Sequence, residues 1–525
     1  MKLGIHPDLK QALEPVVAEL VSSEIASRIC EKDAGIWGPE AQPEASIRLG
    51  WVDSSKNAVE LLPSIISLRE QFRAAGVDRF VLCGMGGSSL APEVITKNAG
   101  VELVVLDSTA PDQVAAAVTE LARTAVVVSS KSGSTVETDS QKRIFEKAFS
   151  DAGISPLERI VIVTDPGSPL DEASRSAGYK VFNADPNVGG RYSALTAFGL
   201  VPSGLAGADV AGLLASASQA TATFEYDSAD NPAIWLGAAL ARTPGTHGYR
   251  DKFLIETDLI PGFGDWAEQL VAESTGKEDR GVLPVVVSSG AFELGQDIGD
   301  TLVVRATEHE PNKEHVTFSG SLGELFLLWE HATAIAGYLL GINPFDQPNV
   351  ESAKVAAREL LDSPAVSDEV DFSDRGIEVK AYGFDILGST VEAAIEQLME
   401  KANALSYFSL QVYLNRPEFP QFEQLREVLA KRTGRPVTFG WGPRFLHSTG
   451  QYHKGGPKQA LVIQITQDSG FDLEVPGRPF SFGTLIAAQA QGDAKVLSDN
   501  GLPVVTLKLS DPLAGLDLIT KVIAS

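Results

Sequence analysis

At 525 residues, with 44% apolar and 21% charged side chains, the chain has a soluble globular composition and length for two to four domains. A formal net charge of −26 argues against nonspecific binding to nucleic acid or acidic membranes, but not against an anionic small molecule held by local donors. Two distant cysteines (Cys30, Cys83) without a CxxC, no apolar signal core at the N-terminus and no run of membrane-spanning length predict a reduced, cytoplasmic protein.

Residues 7–32 place Leu9, Leu13, Val16, Val17, Leu20 and Val21 at helical spacing, and 33–50 read as a connector. Residues 1–50 are therefore expected to form a helical arm. A second helix is predicted over 59–75. From 80–83 onward strands (101–106, 125–128, 159–164, 180–182) alternate with helices (111–121, 136–149, 170–177). That alternation predicts a doubly wound parallel sheet over 51–189, with its ligand at the strand carboxyl ends. A second α/β unit is expected over 190–363, with strands at 252–256, 283–287 and 301–304. An acid-rich linker follows at 364–377. Residues 378–525 then predict a smaller α/β or α+β domain, with strands at 406–414, 437–441, 460–464 and 503–509 and helices at 422–432 and 482–497.

Six stretches carry chemistry. In 126–138, VVVSSKSGSTVET, a buried strand opens into a Ser/Thr/Gly turn and then a helix, with Glu137 near its start. Such a turn presents free N–H groups, a helix dipole and hydroxyls to an anion; the plain alternative is an ordinary capped turn. The first βα turn, GMGGSS at 84–89, reads as a dinucleotide loop with Asp107 as ribose acid, although Ser89 stands at the third glycine position. It reads equally as a second lip of the anion site through Gly86, Gly87 and Ser88, or as a tight turn. In NVGGRYSALTAFGL, two glycines present Arg191, suited to an oxyanion, a phosphate or a structural ion pair.

In DWAEQLVAESTGK, Glu273 falls at a helix end, as a general base or a solvated carboxylate. In GYLLGINPFDQPNVESAK, Gln347, Glu351 and Lys354 share one helical face, functional or merely wet. GPRFLHSTGQYHKGG, at 442–456, holds His447 and His453 in a Gly-rich loop without zinc-site spacing, so no metal is expected. His331 reads as a core residue, and His309 and His315 as solvated.

Together, GMGGS, SSKSGSTVET, GGRYS, AESTGK and NPFDQPNVESAK, in this order over roughly 80–355, resemble the glucose-6-phosphate isomerase family. The DAGIWG…LGW and FLHSTGQYHKGG stretches look more like the isomerase half of bacterial transaldolase–isomerase fusions, and no transaldolase half is present here. The resemblance implies two doubly wound sugar isomerase domains plus the C-terminal domain. It further implies reversible aldose–ketose isomerisation of a sugar phosphate through a cis-enediol, no metal or redox cofactor, and a homodimer.

By motif position, Ser130, Ser132 and Thr135 would hold phosphate, with Gly87, Ser88 and Lys131 nearby. Glu273 would be the base and Arg191 the oxyanion partner; Gln347 would contact substrate and Lys354 assist ring opening. The chain departs from the family pattern at Asn349, where a small residue is usual, a change neutral to the chemistry. It also lacks a matching ring-opening histidine between Glu273 and Gln347. His447 or His453, with or without Lys454, is expected to fill that role, from the same chain or across a dimer; His309 and His315 are poorly placed by motif. A non-catalytic sugar-phosphate sensor and a nucleotide-dependent oxidoreductase using GMGGSS and Asp107 are the alternatives.

Overall fold

The computed structural model describes residues 1–312, 315–362, 369–468 and 470–525, with 351–354 and 362 described in backbone alone. Its framework is three sheets that repeat one strand order. In the first, five parallel strands (Arg79–Gly84, Val104–Leu106, Thr124–Ser129, Ile160–Thr164, Lys180–Asn183) lie in the order second, first, third, fourth, fifth. Thr124–Ser129 and Ile160–Thr164 are buried at every residue, as their Val/Ile runs require when helices cover both faces. The winding reverses between the first and third strands, and a ligand crevice opens there at the carboxyl ends. The loops leaving those two strands are the GMGGSS and SSKSGST turns.

The second sheet sets Lys252–Glu256 between Leu283–Val287 and Thr301–Ala306, followed by Val316–Ser319, all parallel in the same order. Its edge is Lys2–Ile5, antiparallel to Val316–Ser319. Neither four-residue strand is legible from periodicity, so the expected helical arm in fact begins as a strand of this sheet. The predicted helix over 7–32 is two helices, Pro7–Ser22 and Ile25–Cys30, broken where Glu24 turns left-handed at φ 54°. A distant carboxylate holds the break: Asp227 Oδ1 accepts from the Ala26 and Ser27 N–H groups at 2.9 and 3.2 Å.

The third sheet repeats the order with Tyr407–Val412, Val437–Trp441, Ala460–Gln467 and Val504–Leu509, then adds Ile377–Tyr382 and Phe372–Asp374 antiparallel at one edge. This unit is therefore α/β with a mixed sheet. Of the expected linker, 364–368 lie outside the described residues, and its last part is strand. Helix Val350–Asp362 lies along helix Phe482–Asp499 so closely that a Cβ on Gly492 would sit 3.0 Å from the Ala357 nitrogen. Among the described residues no helix is long and apolar enough to cross a membrane.

Candidate active site

A cleft of about 570 Å³ opens at the switch point of the first sheet. Gly87, Ser88, Ser130, Lys131, Ser132, Thr135, Arg191, Glu273, Gln347 and His447 all line it. Lys354 and Glu351 have side chains outside the described residues.

One end of the cleft is the Ser/Thr loop. The Ser130 hydroxyl donates to Thr135 Oγ1 at 3.2 Å and accepts from the Gly133 N–H at 3.1 Å, and Ser132 and Ser134 pair at 2.7 Å. Gly133 is needed here: its φ is +73°, and a Cβ would lie 2.4 Å from Leu170 Cβ. Helix Val136–Asp151 starts without a side-chain cap from Thr135, and its first residues, Val136 and Glu137, line the cleft. The arrangement suits an anion: hydroxyls and the positive end of a 16-residue helix at one wall. Lys131 Nζ contacts Asp165 at 2.6 Å, and burial pulls the lysine below its ordinary range while pushing Asp165 up.

The opposite lip is GMGGSS. A Cβ on Gly87 would stand 2.1 Å from the Gly190 carbonyl oxygen, and one on Gly86 2.6 Å from the His447 carbonyl oxygen. These glycines thus admit the chain's own backbone, not a pyrophosphate. Asp107, the candidate ribose acid, is buried and paired with Arg444 at 3.2 Å. The dinucleotide reading is corrected on both counts.

Arg191, only 3% exposed, is held from every side. Its Nε donates to Ser274 Oγ at 2.7 Å, Nη1 to Gln347 Oε1 at 2.9 Å, and Nη2 to the Pro344 and Asp346 carbonyls at 2.7 and 3.0 Å. Nη1 also lies 3.3 Å from Glu273 Oε1. The other Glu273 oxygen accepts from Gln269 Nε2 at 3.0 Å. Lys277 closes the same turn, donating to the Asn343 and Asp346 carbonyls and to Asp346 Oδ1 at 2.6–2.7 Å. Burial first, and the Arg191 charge second, pull Lys277 down to about 8.

The third unit supplies the histidine. His447 Nε2 meets Glu137 Oε1 at 2.9 Å, and Gln489 Nε2 donates to the same oxygen at 2.7 Å. His453 is elsewhere: 2% exposed, bonded to Tyr407 Oη at 2.8 Å and driven down to about 3 by burial and then by Lys454. Lys454 is buried against Asp493 at 2.5 Å, outside the cleft. His309 is exposed on a loop, and His315 is not solvated as expected: its Nδ1 accepts from the Val303 N–H at 3.0 Å. Neither lines the cleft. Sequence reasoning gave no role to Glu137, Gln269 or Gln489; their signal lies in tertiary pairing across as many as 352 residues.

An anion cradle, a carboxylate facing a guanidinium, and an imidazole–carboxylate pair in one cleft are equipped to hold a phosphate and move protons on a carbon skeleton.

A profile of the family described as phosphoglucose isomerase matches residues 313–378. The chain is 30% identical over 303 residues to the glucose-6-phosphate isomerase of Heliobacterium modesticaldum, covering 46% of this chain and 68% of that one. It is 28% identical over 356 residues to the probable glucose-6-phosphate isomerase of Haloarcula marismortui, covering 56% and 82%. A solved glucose-6-phosphate isomerase of Chlamydia trachomatis shares the fold, with a TM-score of 0.55 at 19% identity over 70% of this chain and 88% of that one.

Proposed function

The chain belongs to the glucose-6-phosphate isomerase family, and we propose that it interconverts glucose 6-phosphate and fructose 6-phosphate through a cis-enediol. The observation that carries this reading is the Arg191–Glu273 pair at 3.3 Å, set across one cleft from an anion-binding loop. A phosphate binder needs the loop; it has no need of a carboxylate beside a buried guanidinium.

The phosphate sits against Ser130, Ser132, Thr135 and the helix start, with Gly87 and Ser88 closing the other side and Lys131 adjacent. His447, oriented by Glu137, exchanges a proton with the ring oxygen, and Lys354 assists by motif position. In the open chain Glu273 takes the proton from one of C1 and C2 and returns it to the other. Arg191 already has an acceptor at each of its donor directions, so the enediolate oxygen takes the Nη1 position now shared by Gln347 and Glu273.

We extend the reading to a cytoplasmic homodimer of chains divided at 51–189, 190–363 and 378–525, each chain using its own His447. The likeness of DAGIWG…LGW and FLHSTGQYHKGG to transaldolase–isomerase fusions supports assigning the C-terminal unit to the isomerase machinery.

The test is fructose 6-phosphate turnover, with a dehydrogenase-coupled readout and no added metal, by wild type and Glu273→Gln. A loss of about 10²–10⁴-fold in the variant is expected. A wild type that binds sugar phosphate without turning it over would replace this reading with a sensor; equal rates would remove Glu273 as the base.

A further inference from the structure

The loop that delivers His447 is held at two points. Before the histidine, Arg444 pairs with Glu93 at 2.5 Å and Asp107 at 3.2 Å, tying the loop to the first unit. After it, Gln451 is fully buried and forms a reciprocal amide pair: its Oε1 accepts from the Asn349 N–H at 2.9 Å, and its Nε2 donates to Asn349 Oδ1 at 2.9 Å. The same Nε2 donates to the Gly276 carbonyl at 2.8 Å.

Gly276 lies three residues past Glu273, and Asn349 two past Gln347. One side chain therefore joins the three segments that carry His447, Glu273 and Gln347. The backbone around it leaves no slack: a Cβ on Gly455 would come 2.4 Å from Asn349 Oδ1, and one on Gly276 would come 2.4 Å from Tyr452 Cα. Asn349 is also the position where the chain departs from the family pattern. Its amide supplies one half of the pair that a smaller residue there would lack.

We propose that Gln451 is a positioning residue of the isomerisation: it fixes the His447 loop at working distance from Glu273, with Asn349 as its reciprocal partner. This rests on the reaction proposed above. Small displacements between reacting groups cost up to about 10²-fold in rate, so the effect falls on turnover and not on phosphate binding.

The experiment is steady-state isomerisation of glucose 6-phosphate by wild type, Gln451→Met, His447→Ala and the double variant, with folding followed by thermal melt. Methionine keeps the length of the side chain and removes all three hydrogen bonds. The expected result is a fall in kcat of about tenfold to hundredfold with KM within about threefold. No further loss is expected when Gln451→Met is added to His447→Ala, because both act through the same imidazole. Asn349→Ala cuts the pair from the other side and takes the place of Gln451→Met should that variant not fold. A kcat within twofold of wild type, a loss confined to KM, or losses that add in full would overturn the proposal. An inactive wild type would instead overturn the reaction on which it rests.

Discussion

Replacing Arg191 with lysine separates what its geometry does for the fold from what it does for the reaction. The guanidinium donates four hydrogen bonds and touches Glu273 with the fifth direction. An ammonium on a shorter stem reaches one or two of those acceptors. If it stays on Glu273 and Gln347, the Pro344 carbonyl loses its donor, at about 1–3 kcal/mol, while the Asp346 carbonyl keeps the Lys277 ammonium at 2.7 Å. The transition state separately loses a preorganised donor, worth about 10²–10³-fold in kcat. Thermal melts report the first effect, and kcat of the folded fraction the second. A hydroxamate analogue of the enediolate should lose affinity in parallel with kcat, while glucose 6-phosphate binding changes little. A variant that melts lower yet turns over at the wild-type rate would refute the assignment of Arg191 to the oxyanion.

Two further predictions concern pH. Burial lowers His331 to about 4 and His453 to about 3, against 6.5 in the unfolded chain, so the unfolded state binds more protons as pH falls below 6.5 and stability is lost on that side. At pH 5 the loss is about 2 kcal/mol per histidine, and His453→Gln should remove its share from the difference between melts at pH 7 and pH 5; an unchanged difference would disprove this. Lys277, lowered to about 8, loses its charge near that pH and with it part of its hold on Asp346, so kcat/KM should fall on an alkaline limb near 8. The unfolded lysine keeps its proton to higher pH, so stability rises over the window in which activity falls. Lys277→Arg should shift that limb upward, and a limb that stays in place would assign it to another group.

The anion loop was legible because its signal is local: three buried valines followed by small polar residues cannot continue a helix or strand and must turn. The same holds for the glycines before Arg191. His447 and His453 could not be separated by sequence, since they stand six residues apart in one loop. Only the helix Gly450–Gly455 turns His453 toward Tyr407, while His447 remains on the cleft side. The break after Ser22 was illegible for a related reason: no Gly or Pro marks it, and the carboxylate that stabilises it lies 201 residues away in sequence from Ala26. The short edge strands Lys2–Ile5 and Val316–Ser319 show too few residues for any period to register.

The long separation between Glu137 and its partners has a consequence on the ribosome. His447 emerges 310 residues after Glu137, which at about 5–20 residues per second is roughly 15–60 s later. Domains fold as they emerge, so the Ser/Thr loop, Arg191 and Glu273 come together in a nascent chain that has no imidazole to set beside Glu137. A chain arrested before residue 447 would therefore carry the Ser/Thr loop and the Arg191–Glu273 pair without the imidazole that meets Glu137 in the finished protein.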